Sequence, residues 1–231
     1  MHTPWPPVAA LIFDFDGIIV DTETPAFESW QRLYAEYGHE LTLDRWKDAL
    51  GTNHGFQALD YLLELIAHTN GPQPPTKRAE LGRQRQALKN ELSAQLPLLP
   101  GVAGLLDQAD ALGLPCGVAS SSDRAWVEGW LNRLGIRQRF GCVRTADDVR
   151  STKPAPDLFL SAAAGLGVAP AACIVLEDSP NGIRAAHAAN MRCVAIPSPI
   201  TSQLELPPTH LRLPSLAALS LRELVAYLQR T

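Results

Sequence analysis

The sequence predicts an α/β fold in which a parallel-sheet core is interrupted, after its first strand, by an all-helical insert. Three observations predict it. The short runs VAALIFDF, CGVASS, CIVLED and CVAIP are almost continuously apolar, as strands covered on both faces are. Helix-like stretches separate the later runs, and strand alternating with helix implies parallel pairing through right-handed crossovers. Between about Thr24 and about Leu96 that rhythm stops, leaving helical patterns and no convincing strand.

Taken in order, the first strand is LIFDF, with Asp14 and Asp16 ahead of Gly17. The insert follows as TPAFESWQRLYAEYG, LDRWKDALG, GFQALDYLLELIAHTNG and a polar helix ending near LKNELSAQL, with the linker-like GPQPPT inside it. It reads as a lid, hinged near Thr22 to Pro25 and near Leu96 to Pro100. Residues 1–23 and 97–231 then form the core domain, and 24–96 the helical cap domain. In the core, GVAGLLDQADALG, AWVEGWLNRLG and DLFLSAAAGLG each close on a glycine, which suits a left-handed helix cap.

Composition narrows the function classes. Of 231 residues, 46% are hydrophobic and 19% charged, ordinary values for a chain that buries a core. A formal net charge of −4 supplies no global basic field for nucleic acid. No apolar run approaches the length of a membrane span, and the start lacks the basic and apolar regions of a secretion signal. Cys116, Cys142, Cys173 and Cys193 lie far apart without a CxxC pair, so reduced, buried thiols are expected. The expectation is a cytoplasmic monomer that handles a small molecule and neither nucleic acid nor membrane.

The polar residues gather where ligands bind in open parallel sheets, at the carboxyl ends of the strands. Residues i and i+2 of a strand face one side, so Asp14 and Asp16 would crowd one spot unless something offset their repulsion. Ser120, Ser121 and Ser122 end a second strand, Lys153 lies in STKPAPD, and Glu177 and Asp178 end a later strand before SPNG. Carboxylate oxygens of Asp14, Asp16, Glu177 and Asp178 suit a hard cation such as Mg²⁺. Ser120, Ser121 and Lys153 are the candidates for holding phosphate oxygens. Asp14 is then the candidate nucleophile and Asp16 the acid and base. Each piece has an ordinary reading: an Asp-Gly turn, a serine helix cap, a solvated lysine, a cap at Asp178 and Ser179. Their joint order, each after a strand, favours the catalytic one.

DFDGIIVDTE, ASSSD, STKPAPD and VLEDSPNGIRAA resemble, in order, the four motifs of the haloacid dehalogenase superfamily. The pattern is most similar to its beta-phosphoglucomutase-like phosphatases and mutases. The resemblance implies a Rossmann-like core with a helical cap and a phosphoryl-transfer enzyme using Mg²⁺. Asp14 would form an aspartyl-phosphate, and Asp16 would act as acid and base and bind Mg²⁺ through its backbone carbonyl. Ser120 and Lys153 would hold the phosphoryl group. Asp178 would be a metal ligand, and Glu177 a ligand or a partner behind one. Metal-free dehalogenases of the superfamily lack the second aspartate, so Asp16 points to phosphate chemistry.

Phosphatase and sugar-phosphate mutase both stay open. Ala26 stands where the mutases carry a histidine, and neither His54 nor Arg83 or Arg85 cleanly matches their cap arginine and lysine. This favours hydrolysis of a small phosphate monoester, a sugar phosphate or related metabolite. Thr22, Glu23, Thr52, Asn53 and His54 are candidates for lining the substrate. An inactive binding module of the same fold is the non-enzyme alternative, and the complete motif set gives it little support.

Overall fold

The computed structural model describes residues 5–46 and 56–230. They fall into two compact units, one taking the chain up to Asp21 and again from Pro97, the other holding the helices between. In the first unit the strands are β1 (Ala10–Phe13), β2 (Cys116–Ala119), β3 (Cys142–Arg144), β4 (Cys173–Glu177), β5 (Arg192–Ala195) and β6 (Leu211–Arg212). They make one parallel sheet in the order β3-β2-β1-β4-β5-β6. All four side chains of β1 are buried, which explains a run without polar alternation. Phe13 registers with Val118 of β2 on one side and Leu176 of β4 on the other. The chain steps outward from β1 to β3, then crosses back to lay β4 beside β1. That reversal puts a crevice at the carboxyl ends of β1 and β4, where this class of sheet binds ligands.

In the second unit the described helices are α1 (Glu23–Glu36), α2 (Leu43–Trp46), α3 (Ala58–Asn70) and α4 (Thr76–Ser93). Phe27, Leu33 and Tyr34 form the buried side of α1, and the Tyr34 hydroxyl donates to Ala58 O at 2.6 Å, tying α1 to the start of α3. The proposed hinge at Thr22 to Pro25 is helical from Glu23 onward. Pro25 is tolerated there because first-turn amides have no intrahelical partner to lose.

The core crossovers are α5 (Val102–Ala111), α6 (Arg124–Arg133), α7 (Asp157–Leu166), α8 (Pro180–Ala188) and the closing α9 (Leu221–Leu228). Leu158, Phe159, Ala162 and Ala163 of α7 pack in one buried cluster with Ile12, Val175 and Cys193 of the sheet. Gly167 ends α7 in the left-handed region at φ 70°, as its place after an apolar run predicts. Two strands escaped the sequence pattern. β3 and β6 are three and two residues long at the two sheet edges, too short to show a periodicity. Among the described residues no helix is long and apolar enough to cross a membrane.

Candidate active site

The first strand ends earlier than its apolar run suggests. β1 stops at Phe13, and one further ladder bond, Asp14 N–H to Leu176 O at 2.9 Å, seats Asp14 beside β4. The chain then turns, with the Phe15 carbonyl accepting from Ile19 N at 2.9 Å and Gly17 N donating to Val20 O at 2.8 Å. Asp14 and Asp16 are therefore not two same-side positions of one strand. The turn needs Gly17, which sits at φ 86°, where a Cβ would lie 2.2 Å from Asp178 Oδ2. Asp14 is buried while Asp16 is partly exposed, and the two acquire different neighbours.

Asp14 meets Lys153. The Lys153 Nζ donates to Asp14 Oδ1 at 2.5 Å and to Glu177 Oε1 at 2.7 Å, with only 2% of the lysine exposed. Its ammonium also lies 4.9 Å from the Phe159 ring centre, so α7 supplies both packing and a cation–π contact. Burial alone would lower the lysine's pKa, but Asp14 and Glu177 outweigh it and raise it; the side chain stays an ammonium. Glu177 closes the other end. Its Oε2 accepts from the amides of Asp178 and Ser179, each at 2.8 Å, and from the Ser179 hydroxyl at 3.1 Å. Ser179 also caps α8, accepting from Gly182 N. The ordinary cap reading and the site thus share one residue.

One oxygen each from Asp14, Glu177 and Asp178 lies within 4.8 Å of the others, all three residues being buried. Thr201 donates to Asp178 Oδ2 at 3.1 Å, fixing that carboxylate from the far side. Burial above all pushes the Asp14 carboxyl well above its usual range. Lys153 pulls it back, and the charges of Glu177 and Asp16 push it up again. Three buried carboxylates, Asp14, Glu177 and Asp178, gather beside the single buried ammonium of Lys153. An all-oxygen donor set short of positive charge fits a hard divalent cation such as Mg²⁺.

Asp16 faces a different wall. Its Oδ2 accepts from the Ser122 hydroxyl at 2.7 Å and the Ser120 hydroxyl at 3.3 Å, and its Oδ1 from the Trp126 indole Nε1 at 3.0 Å. The ordinary reading of these serines as caps for α6 fails, because Asp123 takes that task by accepting from Trp126 N at 2.8 Å. The Ser120 backbone is held by Arg144 O at 2.9 Å, so the edge strand β3 positions it.

Within the core unit the structure gathers Asp14, Asp16, Ser120, Lys153, Glu177 and Asp178 around the ends of β1, β2 and β4. Ser121 follows Ser120 in the same turn, half-buried. Thr22 and Glu23 belong to the helical unit, at the start of α1. Thr52, Asn53 and His54 lie outside the described residues. Sequence reasoning did not single out Ser122, Trp126 or Thr201 as contacts. Ser122 stood in a hydroxyl run already marked, whereas Trp126 and Thr201 carried no local signal.

A parallel sheet with buried acidic residues gathered at the carboxyl ends of its strands is the architecture of a class of hydrolases. The chain belongs to the haloacid dehalogenase-like hydrolases, whose family model matches residues 11–196. It is 42% identical over 221 residues to YhcW of Bacillus subtilis (strain 168), covering 96% of this chain and 98% of that one. It is 34% identical over 191 residues to the fructose-1-phosphate phosphatase YqaB of Escherichia coli (strain K12), covering 81% and 96%. The crystal structure of CbbY from Rhodobacter sphaeroides in complex with phosphate is similar at a TM-score of 0.73 and 29% identity, covering 93% of this chain and 98% of that one.

Proposed function

We propose that this protein is a Mg²⁺-dependent phosphatase that hydrolyses a small phosphate monoester, a sugar phosphate, through an aspartyl-phosphate on Asp14. The observation that carries the reading is the buried Asp14–Lys153–Glu177 bridge beside Asp178. A buried ion pair of this kind adds little to stability by itself, but it matches what an anionic phosphoryl group requires. The relative named for fructose 1-phosphate supports the substrate class. So does a second CbbY structure, solved with xylulose-(1,5)bisphosphate at 28% identity to this chain.

In this reading Lys153 holds Asp14 Oδ1, orients the carboxylate for attack on phosphorus, and offsets charge on the phosphoryl oxygens. Ser120 offers its hydroxyl to the same oxygens. Asp16 gives a proton to the leaving oxygen and later takes one from the attacking water. Asp14, Asp178 and the Asp16 backbone carbonyl would hold the cation; the engaged oxygens of Glu177 suit a partner that fixes Lys153. Bound Mg²⁺ would supply positive charge that offsets the anionic phosphoryl group. Water as acceptor is supported by Ala26, buried in α1, which offers no side chain to exchange a proton with a second sugar hydroxyl.

Asp14→Asn is expected to lower turnover of sugar phosphates by on the order of 10³-fold or more, since a neutral amide cannot form the acyl phosphate. Chelation of Mg²⁺ should abolish turnover, and re-addition restore it. Phosphate release by the Asp14→Asn variant or in excess chelator would sink the mechanism. Sugar-phosphate isomerisation outpacing phosphate release would replace hydrolysis by mutase chemistry.

A further inference from the structure

We propose that Trp126, together with Ser122, is a positioning clamp that fixes the orientation of the Asp16 carboxyl group for proton transfer to the leaving oxygen. The inference rests on the reading of Asp16 as acid and base and adds residues to it. Asp16 lies beyond the end of β1 in a turn, where a short bridge to Val20 holds its backbone. Its orientation must come from side-chain partners, and the two ends of the carboxyl group have different ones.

On Oδ2 the Ser122 hydroxyl donates at 2.7 Å, closer than the Ser120 hydroxyl at 3.3 Å. On Oδ1 the Trp126 indole donates at 3.0 Å. The two donors are not equivalent. A hydroxyl can donate or accept, whereas an indole N–H only donates. Trp126 therefore marks Oδ1 as the acceptor, so a proton carried by Asp16 sits on Oδ2, and turning that hydroxyl toward the indole would lose the bond. Together the two contacts fix both rotation and tilt.

Trp126 is itself held firmly. It occupies the first turn of α6, where its backbone amide donates to the Asp123 cap at 2.8 Å. Its ring packs edge to face against buried Trp130, with centroids 5.8 Å apart and planes at 72°. The cap sets the backbone, Trp130 sets the ring, and the ring aims its N–H. Such support matters because a proton donor acts only within hydrogen-bond reach of its target, and small misplacements slow the step steeply.

The consequence is selective. Esters of sugar alcohols need a proton on the leaving oxygen, whereas p-nitrophenolate leaves without one. The value of kcat/KM reports the steps through departure of the leaving group and so isolates this requirement. The purified full chain with Mg²⁺ is assayed on fructose 1-phosphate and p-nitrophenyl phosphate, as wild type, Trp126→Phe, Ser122→Ala and Trp5→Phe. Removing one donor to a charged partner should lower kcat/KM for the sugar ester by about 10- to 100-fold. The aryl ester should lose less than about threefold by the same reasoning. Trp5→Phe, a tryptophan packed against His210 and Arg192 at the other end of the sheet, should leave the ratio of the two esters as in wild type.

In an Asp16→Asn background, Trp126→Phe should cause no further selective loss, because the contact acts through Asp16. Equal losses on both esters, no loss on either, or an undiminished effect of Trp126→Phe in that background would overturn the clamp. Ser122→Ala removes the shorter donor to Oδ2 without touching α6, so a folding defect in Trp126→Phe leaves the idea open to refutation. Failure of the function reading looks different. In that case wild type hydrolyses neither ester, or Asp14→Asn hydrolyses both, and the clamp falls with it.

Discussion

At the scale of single residues the site depends on how closely charges are pressed together. Lys153 is a buried cation touching two buried carboxylates. Lys153→Ala is expected to lose roughly 2–4 kcal/mol of transition-state stabilisation, by comparison with other electrostatic donors. Single-turnover kinetics on a sugar phosphate check it, and a rate constant near wild type would reduce the lysine to a structural charge. Gly182 tests the partner side. A Cβ there would lie 1.7 Å from Glu177 Oε1, the same oxygen that receives Lys153. Gly182→Ala must displace Glu177 or α8, so about 2–3 kcal/mol of stability should be lost, and catalysis should fall with it. Denaturant titration alongside activity measures both. Neither the bridge nor the close approach of Gly182 is written in local sequence. Lys153 stands in a motif, but its two partners lie at the ends of strands, 139 and 24 residues away.

At the scale of elements, most of what positions the site was legible, and what was not has a length explanation. The helices after β2 and β3 were marked by apolar spacing and terminal glycines, and α6 and α7 run where those signals place them. The turn at Gly17 was visible as a glycine after two aspartates, yet the end of β1 was not, because Phe15 continues the apolar run. The serine cluster shows a subtler limit. Its residues are good caps by type, but Asp123 caps α6, leaving the hydroxyls of Ser120 and Ser122 for Asp16. Replacing Asp123 with Ala should therefore cost about 1 kcal/mol, the usual value of a side-chain cap. The unfolding midpoint in urea should shift accordingly. A midpoint equal to wild type would mean that a neighbouring serine takes over the cap.

At the scale of the whole molecule, all four cysteines are free and buried, as their scattered apolar settings predict. Burial is the leading cause that pushes the thiols up, to about 12 for Cys116 and about 11 for Cys173, with Cys193 raised further. The sign for stability follows from which state binds more protons. Below about pH 8.5 the thiols are protonated both folded and unfolded and contribute no pH dependence. Above it the unfolded chain ionises first, so folded stability should decline as pH rises from there toward the folded values. Urea midpoints at pH 7, 8.5 and 9.5 test this against a variant with all four cysteines replaced by serine or alanine. Native protein at pH 8 should also resist alkylation until unfolded. Rapid labelling of all four thiols in the native state would contradict their burial.

The amino-acid sequence by itself determined the class of fold, the helical insert and the identity of the chemical groups. These depend on local composition and on periodicity, which a neighbourhood of ten or twenty residues contains. It also determined the family, because four short motifs in order carry that information without coordinates. Only the tertiary structure decided which oxygen meets which donor. The order β3-β2-β1-β4-β5-β6 brings the ends of β1, β2 and β4 together, and there the carboxylates take separate partners. Lys153 bridges Asp14 and Glu177, Thr201 holds Asp178, and Ser122 with Trp126 holds Asp16. Each of these contacts spans from 23 to 139 residues of chain, apart from the bonds Glu177 makes to its own neighbours. Hydrogen-bond direction and burial are properties of packed space, and no local pattern of residues encodes them.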